Sequence, residues 1–186
     1  MLKIVQAPQI VLSQKAKPVA KINNDIRQLL KQMEDTLNNA TDPEGVGLAA
    51  PQVGKSLRIF IIKQTPRSPL QTFINPVIES TFDKEGEQEV KPAKNDKGGV
   101  QLEGCLSLKD IWGVVKRDYG VIISYQDENG VKHKRTFEDF IATIIQHEVD
   151  HLNGILFPIR VIEQNNHLYR SKVNTKGETE FEEIEL

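Results

Sequence analysis

Residues 147–151 read His147-Glu148-Val149-Asp150-His151. On a helix, two histidines four positions apart are separated by about 40° around the axis with a rise of ~6 Å, so both imidazoles reach one metal ion. Glu148 is close enough to take a proton from water at that ion without being a natural third helical ligand, which makes it the candidate general base. A shuffled chain of this composition carries such a pattern in only about 0.7% of cases, so chance is a poor explanation. A structural zinc site is the other reading, but such sites ordinarily take four protein ligands and the chain has one cysteine.

That cysteine, Cys105, lies in Glu103-Gly104-Cys105-Leu106-Ser107, where Gly104 permits close backbone approach and a thiolate can supply the third ligand. Taken alone, a free cysteine reads more naturally as a small buried hydrophobe. Two helical histidines that still need a third donor favour ligation, and three ligands with an open position describe a catalytic metal site. A further segment, Gly45-Val46-Gly47-Leu48-Ala49-Ala50-Pro51-Gln52, holds a Gly-x-Gly but lacks the third glycine and the preceding strand of a dinucleotide site. Its small residues let backbone come close to a metal or substrate, and Gln52 offers a neutral amide donor to a carbonyl oxygen that becomes negative. A plain tight turn is the alternative for this segment.

Elements must hold these residues in place. Thr136 and Asp139 form a capping-box pattern ahead of Phe140, Ile141, Ile144, Ile145 and Leu152, with Gly154 as the stop, so the motif sits on a helix. Ile26, Leu29, Leu30, Met33 and Leu37 fall at helical spacing between Asn24 and Asn39, with Asn23 and Asn24 as candidate caps. Thr41–Gly54 reads as a shaped loop. Leu57–Ile62 and Thr72–Ile78 read as strands, and Gly120–Tyr125 and Val131–Thr136 flank Asn129-Gly130 as a hairpin. A meander is the simplest topology. The charged stretch Glu79–Gly99 reads as an exposed loop or hairpin, and the tail from Glu163 as a terminal hairpin turning at Thr175-Lys176-Gly177. Strands in the middle with helices apart argue for an α+β fold, antiparallel strands packed around a central helix that carries His147 to His151.

With 186 residues the expectation is one domain over 1–186, large enough for a sizeable core. A net charge of -2 argues against a nucleic-acid partner, and no apolar run approaches a membrane span. A lone cysteine and a start without a long apolar stretch point to a reducing, cytoplasmic setting.

The glycine segment ending in Gln52, the Glu-Gly-Cys-Leu-Ser stretch and the His-Glu-x-Asp-His helix resemble, in order and approximate spacing, the three motifs of peptide deformylase. Ile74-Asn75-Pro76, Arg117, Tyr125-Gln126-Asp127 and His151-Leu152-Asn153-Gly154 extend the resemblance over residues 1 to about 162. Two departures stand out: Leu108-Lys109-Asp110 replaces a hydrophobic residue, Pro and Gly, and the charged stretch before Glu103 is longer than usual. The tail after Ile162 follows no family pattern.

The resemblance implies removal of the formyl group from the N-terminal formylmethionine of new polypeptides, nascent chains at the ribosome, by a monomer with one divalent ion. That ion is Fe2+ in the family, with Zn2+, Ni2+ or Co2+ as substitutes. Cys105, His147 and His151 would hold it, Glu148 would shuttle the proton, and the Gln52 amide and the Leu106 N–H would meet the negative oxygen. Gly45, Val46 and Gly47 would bond the extended peptide backbone. Asp150 would pair with Arg117, and Ile144 and Phe140, on the histidine face, would join Val46 in a methionine pocket. Trp112 and Tyr119 receive no role, and His133 and His167 read as surface residues. Two rivals remain: a metallopeptidase taking Glu163 or His167 as third ligand, and a non-catalytic domain that binds N-terminal peptides.

Overall fold

The computed structural model describes residues 1–41, 45–65, 67–84, 102–175 and 177–185. Helix α1 (Asn24–Asn38) begins where expected, with the Asn23 side chain accepting from the Ile26 N–H, and buries Ile26, Leu29, Leu30, Met33 and Leu37. Strand β2 (Ile59–Ile62) is a short unbroken apolar run because both of its faces are covered. Ile59 and Ile61 pack with Leu29, Leu30 and Met33 of α1. Phe60 and Ile62 face the opposite layer, with Ala142, Ile145 and Val149 of helix α2 (Asp139–Leu152). The sheet is thus sandwiched between two helices, and α2 forms the central one.

That sheet is antiparallel in the order β1 (Gly47–Ala49), β2, β3 (Gln71–Phe82), β6 (Gly120–Gln126), β7 (Lys132–Glu138). A second antiparallel sheet runs β4 (Glu103–Cys105), β5 (Leu108–Gly113), β8 (Leu168–Val173), β9 (Thr179–Ile184). Helix α3 (Phe157–Glu163) packs Phe157 and Val161 beneath it, against Cys105, Val115 and Leu168. The fold is α+β, as the element pattern indicates.

Four local expectations change. Chain order is not a simple meander, because β4 and β5 leave for the second sheet before β6 returns beside β3. Thr41–Gly54 is more than a loop. Gly47–Ala49 pairs with Phe60–Ile62 and is fully buried, and Ala50–Val53 makes a 3-10 turn, while residues 42–44 lie outside the described residues. The stretch from Glu79 starts as strand: β3 continues to Phe82, Glu79 bonds Lys134 and Ser124, and the Phe82 ring lies over Gly120, whose Cβ it would exclude. Residues 85–99 of that stretch lie outside the described residues.

The capping box on α2 is absent, because Thr136 is still in β7, paired with Ile122. The strand runs directly into the helix through Asp139, which has a φ of +57° and whose N–H bonds the Tyr119 carbonyl at 2.8 Å. Gly154 does stop the helix, at a φ of +74°, and a Cβ there would meet Ser13 and Gln14 backbone within 2.9 Å. The Asn129-Gly130 hairpin forms, with Gly130 at +80°. The tail forms the hairpin β8–β9, and helix α3 ahead of it had no separate signal in the sequence.

Candidate active site

Helix α2 turns His147 and His151 toward β4 and Glu148 toward Gly47 of β1, and the two imidazole centroids are 4.9 Å apart with the rings nearly perpendicular. Cys105, at the end of β4, places its Sγ 3.2 Å from His151 Nε2. One donor atom each of Cys105, His147 and His151 lies within 4.8 Å of the others. The sulfur also accepts from the Ser107 N–H at 3.4 Å and Gln52 Nε2 at 3.5 Å. His147 gives Nδ1 to Glu103 Oε1 at 2.7 Å, so Nε2 is the nitrogen left to ligate.

This donor set suits a metal ion. A thiolate with two imidazoles matches borderline divalent cations, and three donors leave a position open for chemistry. Glu148 Oε2 is buried beside the cluster without a hydrogen-bond partner among the described residues, as expected of a group whose partner is neither backbone nor side chain. Neither rival ligand is near. Glu163 pairs with Arg160 at 2.9 Å, and His167 pairs with Glu183 on the exposed hairpin. His133, half-buried rather than superficial, pairs with Asp127 at 2.8 Å and stacks on Tyr125.

Burial sets the electrostatics. It pushes the Glu148 carboxyl up to about 7, the range of a base that works near neutrality. Burial also lowers His151 well below the ordinary range, with His147 adding to the effect. On His147 burial is outweighed by Glu103 and the Cys105 sulfur, which raise it well above the ordinary value. Burial would raise Glu103 too, yet His147 and Arg117 hold it at about 2.

Glu103 heads a run of alternating charges. Arg117 clasps its two oxygens at 2.7 and 3.1 Å and reaches Asp150 at 2.7 Å, and Arg160 from α3 then closes on Asp150 at 2.7 and 3.1 Å. The expected Arg117–Asp150 pair is present as one link of this longer brace. Glu103 and Arg160 are members that motif reasoning left without a role. Strand alternation alone could have marked Glu103, two residues before Cys105 and therefore on the same face.

Gln52 is 1% exposed, its Oε1 accepts from the Ala49 N–H at 2.8 Å, and its amide nitrogen is thereby turned to Cys105. The first residues of the chain fix both loops: Val5 N–H bonds the Gln52 carbonyl at 2.8 Å, Gln6 Nε2 the Leu106 carbonyl at 2.9 Å, and Ala7 N–H the Ser107 carbonyl at 3.0 Å. Gly47 rests on the catalytic helix, since a Cβ there would lie 2.5 Å from Glu148 Oε1 and 2.9 Å from Ile144 Cγ2. Ile144 is buried and Phe140 and Val46 are partly buried against the same cluster. Gly45 N–H donates to the Ala40 carbonyl, and the Val46 carbonyl accepts from Lys63.

The sequence model of the polypeptide deformylase family matches residues 1–167. The chain belongs to this family. A peptide deformylase from Thermodesulfovibrio yellowstonii is 35% identical over 176 residues, which is 95% of this chain and 98% of that one. Among solved structures, a Synechococcus elongatus peptide deformylase in complex with actinonin has a TM-score of 0.73 at 35% identity, covering 86% of this chain and 79% of its own. A Met-Ala-Ser-bound deformylase from Acinetobacter baumannii gives 0.71 at 33% identity, covering 86% and 98%. Like other polypeptide deformylases the chain is a hydrolase acting on the N-formyl group of new polypeptides. Among the described residues no helix is long and apolar enough to cross a membrane.

Proposed function

We propose that Cys105, His147 and His151 hold one divalent ion, ferrous iron in the working enzyme with Zn2+, Ni2+ or Co2+ as substitutes, and that the substrate is an N-formylmethionyl peptide. The observation that carries this is the convergence of one thiol and two imidazoles within 4.8 Å beside a buried carboxylate. When bound, the ion supplies Lewis acidity that polarises the formyl oxygen and acidifies water. Glu148 takes a proton from the attacking water and returns it to the departing amine nitrogen as the carbon–nitrogen bond breaks, giving formate and a free N-terminus. The Gln52 amide and the Leu106 N–H donate to the formyl oxygen as its charge grows.

Among the described residues β1 pairs only with β2 and β4 only with β5, so each offers a free edge next to the cluster. An extended peptide adds to these edges, with Gly45, Val46 and Gly47 as backbone partners. Since the Gly45 N–H and Val46 carbonyl are already bonded, the Gly45 carbonyl and Val46 N–H are the groups assigned to the peptide. The methionine side chain lies against Ile144, Val46 and Phe140. The Met-Ala-Ser of the Acinetobacter baumannii relative has the form of a product left after such a cleavage. In this reading the chain acts as one cytoplasmic monomeric unit on nascent chains at the ribosome, without nucleic-acid contact of its own.

Cys105→Ser tests the ligand set. It should lower bound metal at least ten-fold and formate release with it, while a variant that keeps a full ion and full turnover would remove Cys105 from the site.

A further inference from the structure

Behind helix α2 lies a cleft of about 500 Å³, walled by β3, residues 116–118 and α3. Helical spacing puts its Val149 and the C-capping Asn153 on the side of α2 away from His147 and His151. Arg58 stands at the Asn153 end. Its Nη1 donates to Asn153 Oδ1 at 3.1 Å and the Leu152 carbonyl at 3.4 Å, and its Nη2 to the Pro76 carbonyl at 3.0 Å. A guanidinium has five N–H groups, so Nε–H and one Nη2–H are left without a partner among the described residues. Those two neighbours are the fork that grips a carboxylate. Burial lowers Arg58 from its ordinary value, whereas bonds to Asp150 raise Arg160 across the cleft. The acids of that wall are taken, Asp150 by Arg117 and Arg160 and Glu163 by Arg160. Asp118 is tied through its backbone to Gln146, seven residues and hence about 10 Å along the helix from Asn153. Beside the fork the lining is apolar: Val77 and Ile78 follow Pro76 in β3, and Val149 precedes Asn153 by one turn.

We propose that this cleft is a second ligand site, separate from the metal cluster, and that it takes a small free monocarboxylic acid with an apolar body. The carboxylate sits on the open fork of Arg58. Asn153, whose Oδ1 is already held by Arg58, has its Nδ2 left to donate to the same group. The body lies on Val149, Ile78 and Val77, the last of which is 56% exposed without a ligand to cover it. Four cationic side chains and three acidic ones line the cleft, so one negative charge balances them. A bare inorganic anion leaves the apolar wall uncovered, and an ammonium meets the guanidinium with the wrong sign. The volume is that of a small-molecule pocket. Arg117 and Asp150 belong both to this wall and to the brace that reaches Glu103 and His147, so a bound acid lies behind the metal cluster without entering it.

Zinc-loaded protein is titrated with phenylacetate, acetate and phenylacetamide. Nuclear magnetic resonance follows the Arg58 Nε–H, the methyl groups of Val77, Ile78 and Val149, and the imidazoles of His147 and His151. The proposal expects phenylacetate to shift the Arg58 and methyl signals saturably, with phenylacetamide at least ten-fold weaker and acetate about ten-fold weaker. Val77→Glu sets a carboxylate beside Arg58 from an exposed position, and it should weaken phenylacetate at least ten-fold, as should Arg58→Gln. Shifts confined to the two imidazoles would put the carboxylate on the metal ion and overturn the second site. Equal binding of phenylacetate and phenylacetamide, or an affinity unchanged in Val77→Glu and Arg58→Gln alike, would do the same. N-acetyl-Ala-Phe presents the same carboxylate and ring at the end of a chain, and ten-fold tighter binding of it than of phenylacetate would overturn the assignment to a free acid.

Discussion

Glu148 is 3% exposed with one carboxylate oxygen unpartnered among the described residues, and its predicted work is proton transfer alone. Glu148→Gln should therefore keep the metal and lose turnover by ~10²-fold or more, and measured formate release near the unmodified rate would reject the general-base role. In the proposed mechanism Gln52 acts on charge that exists only after attack. Gln52→Leu should lower kcat by roughly 10²–10³ with KM within a few-fold and metal content unchanged. A sharp rise in KM at constant kcat would make Gln52 a substrate-positioning residue. The convergence of Cys105, His147 and His151 was legible in the sequence because helical spacing and a single cysteine leave few arrangements. Arg160 was not, because its link to the site passes through Asp150 and Arg117, and no local pattern encodes a partner on another helix.

Among the elements, the brace Glu103–Arg117–Asp150 joins β4, which carries Cys105, to the helix that carries both histidines. Arg117→Gln leaves two buried carboxylates short of a partner, a loss of ~3–5 kcal/mol in such pairs, and should loosen metal binding by about ten- to a hundred-fold. Glu103 is held at about 2 against an ordinary 4.5, so its stabilising effect is full above pH 4.5 and fades as pH falls toward 2. Weakening that hold by Arg117→Gln should move the acid-unfolding midpoint to higher pH, followed by circular dichroism, and an unmoved midpoint would count against the brace. Element types were mostly readable from periodicity, as for α1, β2 and the Asn129-Gly130 hairpin. Two failures share a cause. The apparent capping box and the apparent loop at Gly47–Ala49 are both settled by pairing with distant strands, β6 and β2, which outweighs local preference.

At the scale of the whole molecule, two sheets meet at one cluster: β1 lays Gly47 on Glu148, and β4 brings Cys105 to His151. The α+β class followed from the order of elements, but the division into two sheets did not, since nothing local tells β4 and β5 to leave the first sheet. The central claim is that this junction holds a metal ion and hydrolyses a formamide. Protein stripped by a chelator, reloaded anaerobically with one equivalent of Fe2+ and given formyl-Met-Ala-Ser provides the most direct measurement. The account predicts one formate released per free Met-Ala-Ser formed, no turnover in the stripped protein, and decay of the iron form in air that the nickel form escapes. Cleavage of an internal peptide bond without formate, or no formate from folded, iron-loaded protein, would contradict it.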